Sequence, residues 1–257
     1  MTIRWARAVS HLSELPVVAD AGFDAAELPV GTVMELSAGE FERERTALDR
    51  SGLVFEVFSA PLPAGATVTE PGFNIYVWSV YLKRTFERVA EVGCRRIVWS
   101  DGKGRLLPVE GGVDAAKRQV LQFLYVISDL ARAHGIDVLV EPLDPRRTNF
   151  LNTITELGEF LARAGRANIS GAISLRDLDA VGLSPSSIER HAHLISHVYI
   201  ENPETSLRAR HAPRPGDEHA YDEFLASLSR IGYSGCITLP SDADEESLGY
   251  CRSLLAD

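Results

Sequence analysis

Glu27, Ser59, Ser100, Asp101, Glu141, Ser174, Tyr199, Glu201 and Pro240 all stand at or just beyond the end of a short apolar run. Glu141 is the first candidate for chemistry. It follows Val138, Leu139 and Val140, so its carboxyl is partly desolvated, and desolvation raises a carboxyl pKa toward the range useful for taking a proton from carbon. The rival role is a brace, with Glu141 paired to Arg105, Arg147 or Arg210. His197 and Tyr199 are two residues apart on one run, which sends both to the same side of a strand. His197 then either contacts a ligand or hydrogen-bonds one layer below it. Trp78, Tyr76 and Tyr81 have ring faces on which a ligand can stack, but helical spacing assigns Trp78 to core packing, while Trp99 is a candidate to line the site. His191 and His193 have a metal-like His-Ala-His spacing but precede an apolar run instead of following one.

The elements that must position these groups follow from composition and period. At 257 residues, 45% hydrophobic and 24% charged, the chain has the composition of a globular protein with one large core or two modest ones. No apolar stretch reaches the roughly 18 residues of a membrane span, and Met1 to Gly22 lacks a signal-peptide pattern, so a cytoplasmic location is expected. Cys94, Cys236 and Cys251 lack close spacing and are read as reduced core thiols. A net charge of −10 opposes binding to a phosphate backbone, so no nucleic acid is expected as a partner.

Short β-rich runs alternate with helical periods. The expected strands are Ile3 to Ala8, Ala25 to Leu28, Leu53 to Phe58, Arg96 to Ser100, Asp137 to Glu141, Gly171 to Ser174, Ile195 to Ile200 and Cys236 to Leu239. Between them, Ile75, Trp78, Leu82, Phe86 and Val89 form one helical stripe, Val120, Leu124, Ile127 and Leu130 a second, and Tyr221, Leu225, Leu228 and Ile231 a third. Thr153 with Glu156 reads as a capping box, Ser184-Pro185 as a helix start, and Gly22, Gly93, Gly135 and Gly232 as stops. Repeated βα units at this length, without a linker, predict an α/β fold: a single (β/α)8 TIM barrel over residues 1–257. A doubly wound open sheet is the alternative, weakened because no glycine-rich phosphate loop follows the first strand. Barrel active sites lie at the C-terminal strand ends, which selects the residues named first and leaves His191 and His193 at the structural end.

The run Val138-Leu-Val-Glu141-Pro-Leu-Asp-Pro-Arg-Arg-Thr-Asn149-Phe-Leu-Asn152-Thr resembles the fifth βα unit of the xylose isomerase-like sugar isomerases and epimerases. Trp99 to Pro108 is similar to the family's loop after strand four. Arg210-His-Ala-Pro213, Gly216-Asp217, Tyr221 and Gly232-Tyr-Ser-Gly235 are similar to its last two units, and ketose 3-epimerases are the nearest branch. The resemblance implies a divalent metal held by Glu, Asp, His and Glu from strands five to eight. Those positions are Glu141, Ser174, Tyr199 and Pro240 here, with Asp177 where the family has a His and His197 as the first His of its His-x-His. One carboxylate is not a cage for a hard cation. No metal is therefore expected, although Asp177, Glu201 or His211 remain as substitute ligands. The implied function is an isomerase or epimerase-like enzyme acting on a sugar-like or keto-type small molecule by proton abstraction. Glu141 is the catalytic candidate, and Arg105, Asn152, Ser174, Asp177, His197, Tyr199 and Arg210 are the substrate-binding candidates. Relatives often form homo-oligomers. A barrel that has lost catalysis and binds a sugar or a partner is the alternative, and a DNA-repair endonuclease fits least, for want of a metal cluster and a basic face.

Overall fold

Side-chain alternation sorts each strand into an inner and an outer face. Ala6, Ala25, Val57, Val98, Leu139, Ala172, Tyr199 and Cys236 form one buried cluster, with one residue from each strand. Their sequence neighbours Trp5, Ala26, Phe58, Ile97, Trp99, Val138, Val140, Ile173, Val198 and Ile237 belong to a second, larger cluster shared with the helices. This is the two-faced pattern of parallel strands buried on both sides.

The computed structural model describes residues 3–203, 210–217 and 219–255. In it the strands β1 (Arg4–Ala8), β2 (Ala25–Pro29), β3 (Val57–Ser59), β4 (Arg96–Trp99), β5 (Asp137–Val140), β6 (Ile169–Ser174), β7 (Ile195–Tyr199) and β8 (Cys236–Leu239) close in sequence order into a parallel barrel. Closure is made by β1 against β8, with Arg4 opposite Cys236 and Ala6 opposite Thr238. The open-sheet alternative is thereby excluded. The helices α1 (Leu15–Asp20), α2 (Gly31–Met34), α3 (Ala38–Arg50), α4 (Ile75–Glu91), α5 (Val113–Arg132), α6 (Ile154–Ala164), α7 (Leu175–Ala180), α8 (Tyr221–Arg230) and α9 (Glu245–Ser253) cover it. Among the described residues no helix is long and apolar enough to cross a membrane.

Local details depart from the sequence reading in instructive ways. The third strand is displaced toward its end, because residues before Val57 make single contacts in place of a ladder, as in the isolated bridge between Ala25 and Val54. The sixth starts earlier, at Ile169, and its register with β7 shifts between Gly171 and Ala172. Thr153 caps α6 by accepting from the Glu156 N–H at 3.1 Å, but Glu156 returns its bond to the Asn152 N–H at 2.8 Å, one residue earlier than a capping box requires. Ser184 precedes a 3-10 helix and pairs with the Ser186 hydroxyl instead of capping. All three cysteines are buried and free.

The loops after β4 and β5 are joined by side chains of one that bond the backbone of the other. Asn149 accepts from the Leu107 N–H at 2.8 Å and donates to the Leu107 carbonyl at 3.0 Å, and Arg147 donates to the Ser100 carbonyl at 3.1 Å. Gly102 permits this approach, since a Cβ there would lie 2.6 Å from the Arg147 carbonyl oxygen. Gly102→Ala is expected to lower stability by about 1–3 kcal/mol, the usual cost of overpacking. Thermal unfolding of the variant beside wild type checks this, and an unchanged midpoint would mean that the two loops yield freely.

Candidate active site

Two residues beyond the apolar inner ring, the same alternation brings Ala8, Glu27, Ser59, Ser100, Glu141, Ser174 and Glu201 to the C-terminal end of the barrel, while Thr238 and Pro240 continue the inward face of β8. Small residues open one side of this layer. A cavity of about 200 Å³ lies there, lined by Ala8, Glu27, Ser59, Ser100, Tyr199, Glu201, Arg210, Thr238, Leu239 and Pro240.

Its floor is a hydrogen-bonded group drawn from distant strands. The Tyr199 hydroxyl donates to Glu27 Oε1 at 3.0 Å, His197 Nε2 lies 3.4 Å from Glu27 Oε2, and Thr238 Oγ1 is 3.1 Å from the same imidazole nitrogen. Burial alone would push the Glu27 carboxyl up, but hydrogen bonding and the electrostatic pull of His197, joined by the hydroxyls of Thr238 and Tyr199, hold it below the usual carboxylate range. Tyr199 moves the other way. Burial first, and then the negative charge of Glu27, raise its phenol well above the ordinary value, so it stays a donor.

A second group lies beside the cavity. Glu141, Asp177 and Glu201 are each buried, at 0%, 3% and 1% exposure. Glu201 Oε1 accepts from the Ser174 hydroxyl at 2.7 Å, and its Oε2 lies 3.4 Å from Arg210 Nη1. Asp177 Oδ1 accepts from the Asp144 N–H at 2.7 Å, while Oδ2 faces Arg147 Nη1 at 3.9 Å. Glu141 makes no hydrogen bond through either carboxyl oxygen among the described residues. Burial pushes its carboxyl up to about 8; Asp177 and Glu201 add to the rise, and Arg210 and Arg147 oppose it. Burial, with Glu201 adding, also raises Asp177, against Arg147.

The predicted residues therefore separate by position. Tyr199 and Arg210 line the cavity. Asn152, Ser174 and Asp177 line a crevice of about 10 Å³ between the β5 and β6 loops. Asn152 donates its amide to the carbonyls of Leu143 and Thr148, at 2.7 and 2.9 Å, and so shapes that loop. His197 is fully buried, one layer below Tyr199, with its ring centroid 4.7 Å away. Arg105 is also fully buried; it donates to the backbone carbonyl of Glu141 and sits 5.8 Å over Trp99, and burial pulls its guanidinium down to about 10. Trp99 faces outward against Phe123 at 4.8 Å, because it is odd in the alternation that turns Val98 and Ser100 inward, so it does not line the mouth. Trp78 packs on the core beside Phe73, and Tyr76 is exposed. His191 lies in the outer layer, 3.0 Å from Thr155, and borders neither cavity. Glu27, Ser59, Ser100 and Thr238 line the cavity but stand outside the expected binding set, and Glu201 is expected there as a polar mouth residue and substitute ligand. Counting by twos from Ala25, Val57, Val98, Cys236 and Tyr199 finds all five.

The model of the "Xylose isomerase-like TIM barrel" family matches residues 15–253. The chain is a member of that family. No curated protein matches it. Among solved structures, it is similar to a D-psicose 3-epimerase crystallised in the presence of D-fructose, with TM-score 0.82 and 16% identity over 99% of this chain and 100% of that one. It is similar as well to the D-psicose 3-epimerase of Clostridium cellulolyticum H10 with D-tagatose, at TM-score 0.83 and 12% identity over 98% and 99% of the two chains. A third is the 3-keto-D-glucoside 4-epimerase of E. coli, at TM-score 0.81 and 16% identity over 98% and 100%. At such identities the likeness is one of fold.

The donor chemistry at the positions which that resemblance assigns to a divalent ion does not fit one. Glu141 is a carboxyl, but Ser174 spends its hydroxyl on Glu201, Tyr199 spends its own on Glu27, and Pro240 has no donor. The substitutes do not complete a cage as placed. His211 pairs with Asp242 at 2.8 Å, away from the carboxyls, and among the described residues no three His, Cys, Asp or Glu side chains are spaced to hold a metal ion.

Glu141 supplies a test of the site's electrostatics. Its folded pKa, about 8, exceeds its ordinary value of 4.5, so the native state keeps a proton that the unfolded chain releases. The stability this represents is complete below about 4.5 and is lost as pH rises through 8. Relative to Glu141→Gln, wild type is expected to lose stability steadily across that interval. Denaturant midpoints of both proteins from pH 4.5 to 8.5 measure it, and parallel curves would mean that Glu141 ionises as an ordinary carboxyl.

Proposed function

We propose that this protein is an isomerase or epimerase of a sugar-like or keto-type small molecule, working by proton abstraction at Glu141 without a bound divalent metal. The observation that carries this reading is the Glu141 carboxyl itself: buried at the end of β5, unpaired at both oxygens, and raised to about 8. Such a group is poised to exchange a proton with the carbon beside a ketone near neutral pH. The cavity beside it offers hydroxyls from Ser59, Ser100, Tyr199 and Thr238 and the guanidinium of Arg210, a lining suited to a polyhydroxylated ligand. The family and the sugar-acting enzymes that share the fold support the same substrate class.

A binding barrel without catalysis is the second reading, and one observation favours it: the cavity lining includes Glu27 and Glu201 but not Glu141. Incubation in D2O with D-fructose, D-tagatose, D-psicose, inositols and keto acids, read by NMR, separates the two. The enzyme reading expects deuterium at the carbon beside a carbonyl. The rate should rise toward a limb near pH 8 and fall about 10²-fold or more in Glu141→Gln. Thermal stabilisation by one of these compounds without exchange would establish the binder.

A further inference from the structure

We infer that the Arg210 guanidinium stands in for the family's divalent ion. It is a cation built into the chain that balances the buried carboxyls of Glu141, Asp177 and Glu201. It also presents its planar fork to two adjacent oxygens of an α-hydroxycarbonyl ligand or its enediolate.

The carboxyls come from three different segments and are nearly inaccessible, and Glu141 Oε1, Glu141 Oε2 and Asp177 Oδ2 lack hydrogen-bond partners. Buried carboxylates without a nearby cation are costly, whether by desolvation or by mutual repulsion. Arg210 answers that cost from the cavity side. Its Nη1 lies 3.4 Å from Glu201 Oε2, its guanidinium carbon lies 5.7 Å over the ring of Tyr199, and its side chain keeps 32% exposure where it lines the cavity. Tyr199 is itself one of the positions where the resemblance expects a metal ligand, so the cation lies against the residue that replaced that ligand. The charges of Glu201, and then of Glu141 and Asp177, hold the guanidinium firmly protonated. Two parallel N–H bonds from one guanidinium match a pair of neighbouring oxygens, which is the geometry a metal ion supplies by ligating both. A lysine carries the same charge without that fork.

The inference rests on the ligand reading proposed above and is tested apart from it, with glycolohydroxamate as the probe. Its adjacent oxygens imitate an enediolate, and acetamide, which keeps a carbonyl but has no second oxygen beside it, serves as the control. Titration calorimetry on the whole protein is expected to give glycolohydroxamate binding that is equal in EDTA and in manganese, and none for acetamide. Arg210→Lys should weaken it at least about tenfold, and Arg210→Ala should abolish it, with partial return in dilute guanidinium chloride but not in sodium chloride. His191→Ala should bind as wild type does. Circular dichroism checks that each variant is folded; if neither Arg210 variant folds, the EDTA comparison on wild type decides. Binding lost in EDTA and regained with manganese, Arg210 variants that bind as tightly as wild type, or no binding by wild type would each overturn the inference. Deuterium exchange on a ketose combined with hydroxamate binding that is metal-independent and unchanged in the Arg210 variants would sink it and leave the proposed function standing. Metal-independent, Arg210-dependent binding without exchange on any compound would do the reverse.

Discussion

The mouth of this barrel depends on the apolar ring beneath it. Ala6, Ala25, Val57, Val98, Leu139, Ala172 and Cys236 fill the interior with side chains that offer no polar atom to a neighbour except the Cys236 thiol, while Tyr199 turns its hydroxyl upward to Glu27. A dry plug of this kind keeps water from entering along the barrel axis, so the polar layer above it is solvated from one side only. Every electrostatic feature of the site follows from that asymmetry. Carboxyls in that layer either find partners within the protein or keep their protons.

Two solutions to the same problem sit side by side. Glu27 is held in its charged form by His197, 3.4 Å away, and by the Tyr199 hydroxyl that donates to it, with Thr238 adding to the pull. Glu141 is left without such partners, and burial drives its carboxyl toward the neutral form. Environments that push two carboxyls apart in this way are what acid–base chemistry requires, and they arise here from which strand faces which. Arg105 secures the arrangement from behind by holding the Glu141 backbone carbonyl, and the contact of Gly102 with Arg147 fixes the loop that carries Arg147 toward Asp177.

Much of this was legible along the chain. The strands and helices followed from period, the glycine stops at Gly22, Gly93, Gly135 and Gly232 all adopt positive φ, and the closed parallel barrel followed from the repeat count. The placement of Glu141 at the end of an apolar run was equally local, and its desolvation was a direct consequence. The strand boundaries that slipped, in β3 and β6, are those where single backbone contacts or a register shift interrupt the ladder, and neither leaves a mark in composition.

By itself the sequence determined which chemical groups reach the barrel mouth, because strand alternation is a local rule and residue identity is fixed. It therefore determined that Ser174, Tyr199 and Pro240 bring no carboxylate or imidazole to that layer. Only the tertiary structure decided which groups meet. Tyr199 pairs with Glu27 across 172 residues, and Ser174 donates to Glu201 across the gap between β6 and the end of β7. Arg105, expected at the ligand, is sealed behind Glu141. Such contacts depend on the stagger of strands around a closed barrel, and stagger is set by the summed packing of all the strands at once, which no single stretch of sequence encodes.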